Sequence, residues 1–201
     1  MVFTIGKKYT EEQFLKGCQM SDEKLRNETY KAWAPYMKGV CIRYVADHEL
    51  AEDIMHDAFI KVFVGVGNVT WRGDGSFKGW VVRIMVNCCI DHLKTAKRLP
   101  SLSIDYVDDI AEDYDDTDES TSLLNVVREK GVSREELVGM LESLPESHRV
   151  VFNMYAIEMM RHKEISELLG ITEEASRKRL GRARLQLREL LTDRYRLTKK
   201  Q

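Results

Sequence analysis

The sequence predicts an all-α protein: two small helical domains joined by an acidic flexible linker, the second containing a helix-turn-helix. Three observations carry this. Apolar residues recur at three- and four-residue spacing through both ends of the chain, and no alternating strand of useful length interrupts them. Twelve Gly and three Pro in 201 residues are few for a sandwich or barrel with many tight turns. Between the two periodic blocks, residues 99–127 hold nine acids and no Lys or Arg.

The charge is uneven. Residues 1–98 hold 15 Lys+Arg against 12 Asp+Glu, and residues 128–201 hold 16 against 12. Two mildly basic blocks thus flank one anionic segment, although the whole chain carries only −2. A 43% hydrophobic content supports real cores at either end. The acidic run repels itself and has little to bury, so 99–130 is read as a linker between domains at 10–98 and 131–192.

The first block reads as helices in order. Thr10-Glu11-Glu12-Gln13 fits a capping box opening a short helix. Ser21-Asp22-Glu23 opens the next, which is expected to bend or restart at Pro35. Tyr36, Val40, Cys41 and Tyr44 continue at helical spacing. Asp47 caps a long helix with the stripe Leu50, Ile54, Ala58, Ile60, Val62 and Phe63. Gly65, Gly67, Asn68, Gly73, Asp74 and Gly75 make 65–75 a loop. Ser76 caps a last helix with Phe77, Trp80, Val81, Ile84, Met85 and Cys88 on one face. Lys78, Arg83, Asn87, Asp91 and Lys94 lie on the other, and Lys94, Lys97 and Arg98 form a basic end.

The second block reads as Arg134–Leu144, then Pro145–Met160 with Pro at a first helical position, then His162–Leu169. Gly170 turns the chain, Ile171 plugs the corner, and Thr172 caps a helix running to about Leu191. This is a helix-turn-helix, whose second helix can enter a DNA major groove. That helix carries Arg177, Lys178, Arg179, Arg182, Arg184 and Arg188 against Glu173 and Glu174. Arginine forks bind phosphates and the paired acceptors of guanine.

In the first block, Trp71, Phe77, Trp80, Arg83, Asn87 and Lys94 surround the Gly-rich loop. Aromatic rings that stack bases, beside cations that follow a backbone, hold single-stranded nucleic acid. Periodicity alone favours Phe77 and Trp80 as core and Arg83 as a surface charge.

Other function classes fit less well. Asp53 and His56 have the i, i+3 spacing of carboxylate-bridged di-metal sites, but a second acidic-x-x-His pair is missing. His48 and His56 are too far apart for a zinc H-E-x-x-H, and no Ser or Cys sits in a G-x-S-x-G elbow. No catalytic residue, metal or cofactor is therefore expected. Cys18, Cys41, Cys88 and Cys89 form no C-x-x-C pair, so buried reduced thiols are expected. No apolar run reaches the roughly 20 residues that span a bilayer. Met1–Lys8 lacks an apolar block of signal-peptide length. The expected location is cytoplasmic, without membrane insertion.

Both blocks together resemble bacterial RNA polymerase sigma factors, specifically the compact extracytoplasmic-function (ECF) subgroup. The resemblance covers roughly 22–98 and 134–191. It rests first on Tyr36, the run Ala51-Glu52-Asp53-Ile54-Met55-His56-Asp57-Ala58-Phe59, Gly75-Ser76-Phe77, and Trp80 through Asn87 with Asp91 and Lys94. It rests second on Leu144-Pro145, Glu164-Ile165 through Gly170-Ile171, and Arg179-Leu180-Gly181-Arg182-Ala183-Arg184. The resemblance implies a two-domain initiation factor. Its first domain would dock on core RNA polymerase and capture the melted minus-ten element; its second would read the minus-thirty-five element as duplex.

By position, Glu52, Asp53, His56, Asp57 and Phe59 fall in the polymerase-binding helix. Asn68, Trp71, Trp80, Arg83, Asn87 and Lys94 fall where the family handles the opened strand. Thr172, Glu174, Ala175, Arg177, Lys178, Arg179 and Arg182 fall on the recognition helix. The family often has Gln-Glu where this chain has His56-Asp57, and small residues where it has Glu173-Glu174. Glu174 can accept from a cytosine amino group. The implied partners are core polymerase, promoter DNA and an anti-sigma factor, and the implied linker path is polymerase's RNA channel. The alternative is a helix-turn-helix regulator that does not depend on polymerase.

Overall fold

The computed structural model describes residues 9–96 and 131–197. The chain divides into two compact units, 1–95 and 96–201. The acidic stretch 99–130, with Lys97 and Arg98, lies outside the described residues, so the linker stays an expectation. All regular structure among the described residues is helical.

Unit 1 comprises α1 (Glu11–Gln19), α2 (Glu23–Val45), α3 (His48–Gly65), a 3-10 turn (Val66–Asn68) and α4 (Ser76–Thr95). The capping box opens α1 as expected: Thr10 Oγ1 accepts the Gln13 N–H, and Gln13 Oε1 accepts the Thr10 N–H. The cap of α2 is Asp22, which accepts from Leu25 N–H at 3.1 Å.

Two expectations are corrected here. Helix α2 continues through Pro35 as one 23-residue element, so it does not restart there. Proline removes one backbone hydrogen bond, but Trp33 before it and Met37, Val40 and Tyr44 after it are buried in the same core. The stripe of α3 is Ala51, Ile54, Met55, Ala58, Phe59 and Val62, and Ile60 is 62% exposed. Two positions beyond Ala58 the helix has turned roughly 200°, away from the core. Leu50 and Phe63 sit half-buried at the stripe's edges.

On α4 the core residues include Phe77, Val81, Met85, Cys88, Cys89 and Leu93, with Trp80 and Ile84 half-buried at the margin. Aromatic rings link three helices: Phe14 meets Trp33 edge-on, Trp33 meets Phe77, and Phe77 stacks on Trp80. All four cysteines are free and buried. Helix α1 packs closely on α2: a Cβ at Gly17 would lie 2.3–2.8 Å from Leu25 side-chain atoms.

Unit 2 comprises α5 (Arg134–Ser143), α6 (Glu146–Phe152) widening into a π-helical turn (Asn153–Ile157), α7 (His162–Leu169) and α8 (Glu173–Leu197). The expected helix to Met160 thus stops at Ile157. The wide turn sends the Glu158 N–H to the Asn153 carbonyl and the Met160 N–H to the Met154 carbonyl, and Met159 takes φ 56°.

Met140, Leu141, Leu144, Ala183, Leu187 and Leu191 form a core cluster between α5 and α8. Arg149, 3% exposed, donates to the carbonyls of Glu142 and Leu144, which sit at the C-terminal end of α5. Helix α8 extends past Leu191. The Arg194 guanidinium there pairs with Glu136 on α5 at 2.8 Å.

Candidate nucleic-acid interface

The turn between α7 and α8 follows from its residues. Gly170 adopts φ 68°, ψ 38°, and the N–H groups of Gly170 and Ile171 both donate to the Ser166 carbonyl. A left-handed glycine ends a helix without the Cβ clash of other residues. Ile165, Leu169 and Ile171 are buried beneath the corner. Thr172 Oγ1 accepts the Ala175 N–H at 3.0 Å, capping α8. A buried polar tie then fixes the two helices: His162 Nδ1 lies 2.9 Å from Ser176 Oγ, and the His162 ring stacks on Tyr155.

This geometry sorts the cations of α8. Arg177 and Lys178 are exposed, with Arg188 further along, and Arg182 is half-buried. Arg179 and Arg184 are 4% and 5% exposed, and Arg184 lies over the Tyr155 ring. Arg179, expected to face DNA, instead packs inside the unit. A period of 3.6 brings positions 176, 179, 180, 183 and 187 onto the buried face. Thr172 and Glu174 are exposed beside Arg177, and Ala175 is half-buried. Arg177 pairs with Glu173 at 3.0 Å and Lys178 with Glu174 at 2.9 Å. The hydrogen bond from Lys178 and its positive charge hold the Glu174 carboxyl below the ordinary range.

In unit 1 the loop between α3 and α4 presents Asn68 to solvent and Trp71 half-buried. Trp80 backs onto buried Phe77, and its ring edge lies within 3.6 Å of where a Gly65 Cβ would stand. Trp80 is therefore anchored in the core while part of it reaches the surface. Arg83 and Lys94 are exposed on α4, and Asn87 is half-buried. Lys78, on the first turn, sits over the Tyr36 ring at 3.8 Å.

On α3, Glu52, Asp53, His56 and Asp57 are exposed. Glu52 pairs with Lys38 of α2, whose hydrogen bond and charge hold its carboxyl below the ordinary range. His56 Nε2 lies 2.6 Å from the Tyr30 hydroxyl, and the two rings stack. Phe59 is the exception in this set: it is 2% exposed and packs edge-on against Tyr30. It supports the surface from beneath and takes no part in it. Asp53, Asp57, Ile60 and Val64 share one face, and Ile60 and Val64 are 62% and 82% exposed.

Comparison with known proteins accounts for this pairing of units. A family model described as Sigma-70 region 2 matches residues 29–99, and one described as Sigma-70, region 4 matches residues 134–187. The chain belongs to the sigma factors of bacterial RNA polymerase, in their ECF group. It is 26% identical over 179 residues to the RNA polymerase sigma-H factor of Pseudomonas aeruginosa, covering 87% of this chain and 90% of that one. It is 25% identical over 185 residues to the ECF RNA polymerase sigma-E factor of Escherichia coli K12, covering 90% and 93%. A third relative, the ECF sigma factor SigE of Mycolicibacterium smegmatis, is 30% identical over 141 residues, 70% of this chain and 51% of that one.

This sigma factor recognises promoters through its two sigma-region domains. Its region-2 unit brings Trp71, Trp80 and Arg83 onto a loop and an adjoining helix. Its region-4 unit brings Thr172, Glu174, Arg177, Lys178 and Arg182 onto the outer side of α8. No helix among its described residues is long and apolar enough to cross a membrane. Sequence reasoning missed Ile60 and Val64 as surface residues; a helical wheel centred on Ala51, Met55, Ala58 and Val62 separates them. It also missed Gln19, whose side-chain amide donates to the Val69 carbonyl 50 positions away, a link with no local signal.

Proposed function

We propose that residues 10–98 dock this sigma factor on core RNA polymerase and capture one strand of the opened minus-ten element. Residues 131–192 read the minus-thirty-five element as duplex, and residues 99–130 connect them. The observation that carries this is the outward face of α8, where the capping Thr172 and exposed Arg177 and Lys178 stand on a helix packed through Ile171, Ser176 and Leu180. Such a face enters a major groove with its N-terminal residues toward the bases.

Docking uses the α3 face: Glu52, Asp53, His56 and Asp57 supply charge, and Ile60 and Val64 continue it as apolar contact. An interface with an apolar centre and a charged rim fits this surface. Strand capture uses Asn68, Trp71, Trp80, Arg83, Asn87 and Lys94. Bases stack on the indoles while Arg83 and Lys94 follow the phosphates. The chain contributes binding energy to initiation and no catalysis of its own. It works in the cytoplasm, where the polymerase is, and an anti-sigma factor covering the docking face would silence it.

Run-off transcription with purified core polymerase and a randomised promoter library tests the reading. Selective transcripts sharing two spaced elements are expected; failure to bind the core enzyme overturns it. Trp71→Ala is expected to spare duplex binding and slow open-complex formation.

A further inference from the structure

We propose that α1 is a brace for the strand-capture loop, with Glu11 and Gln19 as its positioning residues. The proposal rests on the opened-strand reading above. Helix α1 precedes residue 29, where the region-2 match begins.

Gly75 immediately precedes α4 and takes φ 86°, a conformation that disfavours the usual Ser, Thr or Asp cap. Ser76, expected to cap α4, is instead its first helical residue, and its hydroxyl accepts the Arg72 N–H; the cap comes from elsewhere. Glu11 Oε2 accepts the Gly75 N–H and Glu11 Oε1 accepts the Lys78 N–H, both at 2.7 Å. In a local capping box two side chains share these tasks. Here one carboxylate does both, from 64 and 67 positions away. Bonds of this charge-assisted kind are among the stronger ones. The carboxylate also occupies a helix start that would otherwise attract a DNA phosphate.

The other end of α1 holds the other end of the loop. Gln19 Nε2 donates to the Val69 carbonyl at 2.8 Å and to the Val66 carbonyl at 3.3 Å. Arg26 adds a link from Phe63 to Cys18, donating to both carbonyls. Helix α1 is itself fixed by buried Phe14, Leu15 and Cys18. The loop bearing Asn68 and Trp71 is therefore tied at both ends to one rigid element.

The consequence is preorganisation. A Gly-rich loop ordered only on binding loses conformational entropy at that moment, which weakens capture. With α1 in place that cost falls within folding. Removing Glu11 should leave docking and duplex reading intact and weaken capture alone.

The test uses holoenzyme assembled from the full chain and core polymerase, with a single-stranded oligonucleotide of a selected minus-ten element as probe. Glu11→Ala removes both bonds and should weaken oligonucleotide binding by at least about tenfold, the scale of a single charge-assisted hydrogen bond. Gln19→Ala and Glu11→Gln should have smaller effects in the same direction. Core affinity should not change, and amide exchange at Gly75 and Lys78 should accelerate. If Glu11→Ala does not fold, the two milder variants carry the test.

Equal loss of core and oligonucleotide affinity marks a purely structural role and overturns the proposal. Trp71→Ala separates the two levels. If it weakens oligonucleotide binding and the α1 variants do not, the brace alone fails. If Trp71→Ala has no effect, the opened-strand reading fails and takes the brace with it.

Discussion

Arg177 and Glu173 lie one helical turn apart on α8 and form an ion pair at 3.0 Å, both side chains about half exposed. Lys178 and Glu174 repeat the arrangement one residue on. The cations proposed to meet DNA are thus already partnered by acids on the same helix. Exposed pairs at this spacing contribute only about 0.3–0.5 kcal/mol, so DNA can displace them. In the proposed binding mode the acids would also stand close to incoming phosphates and oppose them. Glu173→Ala should tighten binding to arbitrary duplex severalfold at low salt, with a steeper salt dependence. Titrations at several salt concentrations measure this. A loss of affinity would mean that Glu173 holds Arg177 in its working geometry.

The burial of Arg179 separates two kinds of basic residue that look alike in sequence. Lys178→Ala should weaken duplex binding uniformly across sequences and leave the melting temperature nearly unchanged. Arg179→Ala should lower stability by about 1–3 kcal/mol, because a buried charged side chain leaves its partners unsatisfied when it is removed. Thermal melts paired with binding curves distinguish them. A stable Arg179→Ala protein with lost base preference would put that guanidinium in the groove.

What the sequence revealed divides along physical lines. Thr10, Asp47 and Thr172 cap helices through partners two or three residues away, and all three caps were legible. Gly170 was legible too, because a glycine between apolar stripes specifies a turn. Pro35 does not end α2, because Trp33 and Met37 on either side of it are buried. The face of α3 was misjudged at Ile60, where hydrophobicity was taken for burial against the helical period. Glu11 and Gln19 act on groups dozens of positions away, and only the folded chain brings them together. Among the expected site residues, the division into surface and core at Phe59 and Arg179 required packing.

Phe59 and Ile60 are adjacent yet should respond oppositely to substitution. Phe59→Ala opens a cavity under Tyr30 and should cost about 3–5 kcal/mol. Ile60→Ser and Val64→Ser alter exposed positions and should change stability by less than about 0.5 kcal/mol. If the α3 face docks on polymerase, the two Ser variants should reduce core affinity without a change in melting temperature. Unchanged competition against a second sigma factor for core enzyme would remove Ile60 and Val64 from the interface.

Glu136 should give α5 a distinct acid sensitivity. Its carboxylate accepts the Ser133 N–H at 2.9 Å and pairs with Arg194 of α8 at 2.8 Å. The hydrogen bonds with Ser133, and then the Arg194 charge, hold the carboxyl below its ordinary value. The unfolded chain therefore binds a proton here more readily than the folded one, and stability rises with pH through that window. The contribution is complete above about pH 4.3, the ordinary glutamate value, and fades as pH falls through the lowered folded value. Glu136→Gln removes the titration. At neutral pH the variant should show faster amide exchange in the first turn of α5 than the parent. That gap should narrow as the solution is acidified below the ordinary glutamate range, once intrinsic exchange rates are corrected for pH. A gap of constant size across the series would show that the carboxylate's charge contributes nothing to this helix start.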